Sequence, residues 1–203
     1  MGRSSVSPLL LETDRLRIRG FEPNDLPVIH RILDQTFGDG SLVDDPAALG
    51  ERRAWLEWSV LNEKWLAELY QPPYGDRAIV LKATGAVIGS IGYVPLLMPF
   101  EQVPDLGGAA EPAAARYTTE FCLFWTIDPA HQRLGYASEA ARAMIGYAFK
   151  TLRLQLIVAT TQFDNLASQG VMLKVGMRLA RNPWPEPPWF QVIGVLDNPG
   201  PDA

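Results

Sequence analysis

Between Asp128 and Ala140 the chain reads DPAHQRLGYASEA, and these residue types suit the holding of a polyanion. Asp128-Pro129 ends an aromatic, β-branched run, and helical spacing begins at Tyr136, so a strand end, a loop with one glycine and a helix start are expected. The first turn of a helix leaves backbone N–H groups without intrahelical acceptors and sits at the positive end of the helix dipole. Phosphate oxygens can supply the missing acceptors. Gly135 and Ala137 would let them approach the main chain, and Gln132 and Arg133 would add donors, Arg133 with charge. The same composition also makes an ordinary structural turn, so the segment alone leaves both readings open. The other residues with chemical potential are Glu120 on the preceding strand, Glu186 in a later loop, Cys122, His30, His131, and the pair Asn165 and Ser168.

The elements that must position these residues follow from periodicity. Thr118–Ile127 (TTEFCLFWTI) is β-branched and aromatic, and as a strand it places Glu120, Cys122, Phe124 and Thr126 on one face. A helix is expected over 136–152, with Ala140, Ala143, Met144, Tyr147 and Ala148 on one side. A buried strand is expected at Leu156–Thr160, a helix at Ala167–Val175, and closing strands at Met177–Ala180 and Phe190–Leu196. Upstream, Leu16 and Ile18 alternate with arginines in a first strand placed at 12–20. Val28, Ile29, Ile32 and Leu33 have helical spacing, and the runs 78–82 and 87–94 form a hairpin. The helix expected at 47–70 repeats apolar residues every three or four positions, and its Trp55, Trp58 and Trp65 read either as a cleft wall or as a stripe packed on the sheet. Residues 95–117 are rich in proline and are expected to form an irregular connection, and 182–188 (NPWPEPP) a stiff loop. Trp184, Trp189 and Phe190 there could cover an acceptor, make a homodimer contact or pack into the core.

The chain has 203 residues, 47% hydrophobic and 20% charged, with a formal net charge of −5. That profile fits a single globular domain over 1–203 and argues against a general nucleic-acid binder, which would need a basic surface. One cysteine and two histidines leave a poor inventory for a Cys/His zinc site, and no metal is expected. The apolar block Leu9–Leu11 is too short for a signal-peptide core and nothing downstream approaches a membrane span, so a cytoplasmic location is expected.

Gln132-Arg133-Leu134-Gly135-Tyr136-Ala137 resembles the Q/R-x-x-G-x-G/A signature of the GNAT superfamily of acyl-coenzyme-A-dependent N-acetyltransferases, and Ser138-Glu139-Ala140 continues it. The run from Asn165 through Ser168 to Lys174, Gly176 and Met177 resembles the family's later N-x-x-S motif leading to K-x-G-F, with Met177 in place of phenylalanine. The opening Glu12-Thr13-Asp14-Arg15-Leu16-Arg17-Ile18-Arg19 is similar to the start of the branch that includes the ribosomal-protein alanine N-acetyltransferases. The resemblance implies a mixed α/β, GNAT-like fold: a central, mostly antiparallel, twisted sheet of about seven strands, splayed between strands four and five, with about four helices. Its acetyl-CoA-binding core would be 118–177.

By the same resemblance, the pyrophosphate of acetyl-CoA would meet the N–H groups of Leu134, Gly135, Tyr136, Ala137 and Ser138, with Gln132 and Arg133 alongside. The thioester carbonyl would be polarised by backbone at Trp125, Thr126 and Ile127. Asn165 would hold the pantetheine or cap its helix, and Ser168 would donate a proton to the leaving thiolate, a role a tyrosine plays in many relatives at the position that is Met172 here. Glu120 is the expected base, with Glu186 or a water relay as alternatives. Cys122 reads as a small apolar strand residue more readily than as an acyl carrier, and His30 and His131 as packing or surface residues. The implied reaction is direct attack of a primary amine, on a small molecule or a peptide N-terminus, on acetyl-CoA. The competing reading is a non-catalytic, CoA-binding sensory module.

Overall fold

A computed structural model describes residues 9–108 and 111–200; residues 1–8, 109–110 and 201–203, which include the ends of the expected 1–203 domain and part of the 95–117 connection, lie outside the described residues. The chain falls into two compact units, one of residues up to Tyr93 with Trp125–Met144, the other of Val94–Phe124 with Ile145 onward.

In the first unit the expected first strand is broken. Thr13 N–H donates to the Leu16 carbonyl at 2.9 Å, turning the chain between β1 (Leu11–Glu12) and β2 (Leu16–Arg19), which pair antiparallel. β2 pairs antiparallel with β3 (Gly75–Leu81), and β3 with β4 (Val87–Met98), with a bulge at Ile79/Val80. The end of β5 (Thr118–Ile127) lies beside the start of β4, where Asp128 N–H donates to the Ile88 carbonyl at 2.8 Å. α1 (Leu26–Phe37) and α2 (Pro46–Glu68) supply Ile29, Ile32, Leu33 and Leu56 to a core with Phe21, Ala78, Val80 and Val87. Only Trp55 of the three tryptophans joins this core, edge-on to Phe21 at 5.5 Å; Trp58 and Trp65 face outward, so a stripe packed on the sheet is not what they form. His30 is buried, with Nε2 3.1 Å from the Leu42 carbonyl, and is a packing residue. The first turns of α3 (Tyr136–Lys150) complete the unit.

In the second unit β4 continues to Met98, so the connection expected at 95–117 begins as strand. Pro95 fits there because Val94 and Pro95 are exposed, where a missing N–H interrupts no buried ladder. Short 3-10 turns follow at Phe100–Gln102 and Pro104–Leu106, and Arg116 ties the segment back by donating Nη2–H to Glu101 at 2.6 Å. β5 pairs in parallel with β6 (Leu156–Thr161) at Cys122↔Val158, and these are the expected fourth and fifth strands. α4 (Leu166–Lys174) leads to β7 (Arg178–Arg181), and β8 (Val192–Asp197) pairs antiparallel with both β6 and β7. Met98, Val103, Cys122, Val158, Phe190, Ile193 and Val195 are among the core. Phe190, edge-on to Phe100 at 5.2 Å, is the buried aromatic of the closing loop, whereas Trp189 is exposed and Trp184 half-buried.

Among the described residues the strand order is β1-β2-β3-β4-β5 and then β5-β6-β8-β7, mostly antiparallel with β5–β6 a parallel pair, together with four α-helices. The mixed α/β fold is the expected one, and about seven strands become eight because Thr13 to Arg15 split the first. No described helix is long and apolar enough to cross a membrane.

Candidate active site

The segment that opened the sequence reading folds as expected, inside the first unit. After β5, Asp128 caps a 3-10 turn at Pro129–His131, its carboxylate accepting the Ala130 N–H at 3.0 Å. The loop then takes two left-handed steps, Arg133 (φ 62°) and Gly135 (φ 83°). The second is a conformation glycine adopts without steric cost, and it aims the following N–H groups into the mouth of α3. Glu139 N–H donates to the Gly135 carbonyl at 3.0 Å, so the N–H groups of Tyr136, Ala137 and Ser138 precede the helical ladder. Gln132 to Gly135 are exposed, Tyr136 and Ala137 half-buried, and Ser138 buried. Gln132 does more than line the loop: its Nε2–H donates to the Ile127 carbonyl at 3.0 Å, tying the loop to the end of β5.

The loop is braced by residues whose part the sequence did not disclose. Glu139, on the first turn of α3, accepts hydrogen bonds from Thr13 Oγ1 (2.5 Å), the Arg15 backbone N–H (3.0 Å) and Arg15 Nε (2.6 Å). Burial pushes this carboxyl up, but the Thr13 and Arg15 donors more than offset it and hold it below the usual range. Arg15 also donates Nη1–H to the Leu134 carbonyl at 3.0 Å and lies over the Tyr136 ring at 4.5 Å. The split between β1 and β2 is therefore a clamp, and the Thr13 and Arg15 of the opening motif act on the loop. The signal was present in Glu139 directly after the Gly-x-Ala-Ser run, but its partners lie far away in sequence.

The other end of the loop is fixed by Asp128. Its buried carboxylate pairs with Arg31 of α1 at 2.7 Å and lies 3.7 Å from His131 Nδ1. Burial raises this carboxyl, and the hydrogen bonds from Arg31 and the Ala130 N–H bring it below its ordinary range. His131 thus sits beside a carboxylate. At the end of β5, Thr126 and Ile127 are buried and Trp125 half-buried. Gly89 of β4 faces them so closely that a Cβ there would overlap the Thr126 carbonyl oxygen. Glycine is needed there for close backbone approach, another feature the sequence reading missed.

The remaining candidates belong to the second unit. Glu120 is half-buried on β5, and burial raises its pKa, which suits a group that must take up a proton. Cys122 is buried in the core with its thiol pushed up to about 12 by burial, against hydrogen bonding from Thr160, so it stays a protonated, apolar strand residue. Asn165 Oδ1 accepts the Ser168 N–H at 3.0 Å and is the N-cap of α4. The structure thereby brings Asn165 and Ser168 together, Ser168 half-buried on the first turn. Met172 is buried with its sulfur against Gly194. Glu186 is exposed on the closing loop.

A carboxylate not singled out from sequence is the most perturbed in the first unit. Burial raises Asp76, on β3, to about 6, against the Ser90 hydroxyl at 3.4 Å and the charges of Arg77 and Arg52. Its alternation with Ala78 and Val80, which face the α1–α2 core, was the available signal. Among the described residues no cluster of His, Cys, Asp and Glu suited to a metal is found.

Comparison with known proteins gives this arrangement a context. Residues 15–178 match the acetyltransferase (GNAT) domain family. An uncharacterized N-acetyltransferase, YnaD of Bacillus subtilis, is 50% identical over 54 residues, a match covering 27% of this chain and 32% of that protein. An acetyltransferase of the GNAT family from Bacillus anthracis has a similar fold, with a TM-score of 0.62 at 21% identity over 92% of this chain and 96% of that one. So does RimL, a ribosomal L7/L12 alpha-N-protein acetyltransferase solved in complex with coenzyme A, at TM-score 0.62 and 13% identity, covering 93% of this chain and 98% of that one.

Proposed function

The chain belongs to the GNAT acetyltransferase family, and from that premise we propose that it is an acetyl-CoA-dependent N-acetyltransferase acting on the primary amine of a small molecule or a peptide N-terminus. The observation that carries the reading is the loop from Gln132 to Ser138, with its left-handed Gly135 opening the first turn of α3 and its brace to Thr13 and Arg15. Such a turn fits a pyrophosphate, because N–H groups ahead of the helical ladder point outward at the positive end of the dipole. In this reading the N–H groups of Leu134, Gly135, Tyr136, Ala137 and Ser138 hold the pyrophosphate, and the exposed Arg133 guanidinium adds charge. Gln132 contributes mainly by fixing the loop to Ile127.

When bound, acetyl-CoA supplies a thioester carbonyl open to attack by an uncharged amine. Backbone N–H groups at Trp125, Thr126 and Ile127 are assigned to polarise that carbonyl. Glu120 takes the proton of the amine, its raised pKa making it the better proton acceptor, and Glu186 is the alternative. As the C–S bond breaks, Ser168 O–H donates its proton to the departing sulfur and regains one from solvent, and Asn165 holds the Ser168 backbone by capping α4. The relative solved with coenzyme A supports the choice of cosubstrate.

A second reading, a CoA-binding sensory module, is favoured by one observation: Met172, at the position where many relatives carry an acid, is buried and offers no proton. One experiment separates the two. Free thiol release from acetyl-CoA is followed over a panel of amines, aminoglycosides and peptide N-termini. Amine-dependent release that falls in Glu120→Gln or Ser168→Ala supports the enzyme. Binding of acetyl-CoA without release for any amine supports the sensor.

A further inference from the structure

Helix α2 is apolar on two sides. One side, with Leu56, Ser59 and Leu66, is buried. The other carries Trp58, Leu61, Trp65 and, just beyond the helix, Leu69, exposed by 53, 54, 57 and 63%. With Ala54 these residues recur at spacings of four, three, four and four, a narrow seam of the kind that joins two helices. Tryptophan and leucine left half in water along one continuous stripe mark an association surface more strongly than scattered apolar residues do.

The geometry points to a second copy of this chain as the occupant, with the two α2 helices packed antiparallel about a two-fold axis. Two complementarities support this. In size, an antiparallel pairing that sets Trp58 opposite Leu61 of the second copy also sets Trp65 opposite the small Ala54, so large residues meet small ones along the seam. In charge, the exposed Glu57 and Lys64 lie on the same shoulder of the seam. Antiparallel pairing faces like shoulders, placing Glu57 of each copy beside Lys64 of the other, twice by symmetry. A parallel pairing would turn Glu57 toward Asn62 and Lys64 toward Leu69 and gain neither ion pair. The interface is isologous and closes at two copies.

The test is sedimentation velocity on the full chain across a wide concentration range. The wild type should sediment as a dimer that dissociates on dilution. Trp58→Glu and Trp65→Glu should each be monomeric and, at dilutions where the wild type has also dissociated, should melt at the wild-type temperature, since both positions are exposed. Glu57→Lys should weaken the dimer, and Glu57→Lys combined with Lys64→Glu should restore it, a recovery that only the antiparallel register gives. A monomer at every concentration overturns the proposal, as does a dimer that persists in both tryptophan variants. A charge-swapped double variant no tighter than Glu57→Lys overturns the register. A monomer whose Trp58 and Trp65 fluorescence responds to an acceptor amine would make the stripe a cleft wall and likewise overturn it.

Discussion

Glu139→Ala should weaken the fold and the loop together. Glu139 is largely sheltered, with 17% of its side chain exposed, and it accepts from Thr13 Oγ1, the Arg15 N–H and Arg15 Nε. A hydrogen bond to a charged group contributes about 1.5–3 kcal/mol, but Arg15 is 46% exposed, which reduces its guanidinium part to that of a surface pair. The sheltered Thr13 and backbone contacts dominate, for a total loss of about 2–3 kcal/mol. Because burial and donors together leave the Glu139 carboxyl below its usual range, this stabilisation is present at neutral pH. It fades as pH falls through the depressed folded pKa. Urea unfolding reads the stability change, and calorimetric titration with acetyl-CoA reads the loop, where affinity should drop about tenfold, equivalent to about 1.4 kcal/mol. The Glu139→Ala and Arg15→Ala effects should be strongly non-additive in a double-mutant cycle. A stability loss under about 0.5 kcal/mol with unchanged affinity, or full additivity, would refute the clamp.

Asp76 binds its proton more tightly folded than unfolded, so its contribution is full below the unfolded value of 3.8 and is lost as pH rises through about 6. Asp76→Asn should flatten that slope and stabilise the protein by up to about 3 kcal/mol at about pH 8, read by urea unfolding at several pH values; parallel wild-type and variant profiles would contradict it. Gly89→Ala, by forcing a Cβ onto the Thr126 carbonyl, should cost about 1–3 kcal/mol or more and lower the melting temperature, whereas Gly146→Ala, within α3 and with nothing within 4 Å of the added Cβ, should cost no stability. Asn165→Ala should cost about 1 kcal/mol by removing the cap on the Ser168 N–H, while Ser168→Ala should leave stability nearly unchanged and lower turnover.

Much of the candidate site was legible in the sequence because it is local. The strand end, the loop glycine and the helix start between Asp128 and Ala140 follow from short-range preferences, as does the Asn165 cap. What stayed hidden depends on distant partners. Nothing near Thr13 or Arg15 says that they reach Glu139, and so the break in the first strand was not foreseen. The tryptophans of α2 were legible as a stripe, but periodicity cannot say which of two apolar faces turns inward; Leu56 and Leu66 took the core, leaving Trp58 and Trp65 outside. Pro95 suggested the end of a strand that in fact continues on an exposed stretch to Met98. The close approach at Gly89 arises from packing between elements, which single-strand patterns do not encode, and the alternation of the half-buried Asp76 with Ala78 and Val80 gives the face it shares but not the burial that perturbs it.

The central claim is that the Gln132–Ser138 loop holds acetyl-CoA, and thermal unfolding with and without saturating acetyl-CoA tests it most directly. A ligand at about one hundred times its dissociation constant that binds only the folded protein stabilises by about 2.7 kcal/mol, enough for a clear rise in melting temperature. Gly135→Val, which forces a side chain into a left-handed position facing Arg15, should abolish that rise while the unliganded protein stays folded. No rise in the wild type, or an equal rise in Gly135→Val, would contradict the claim.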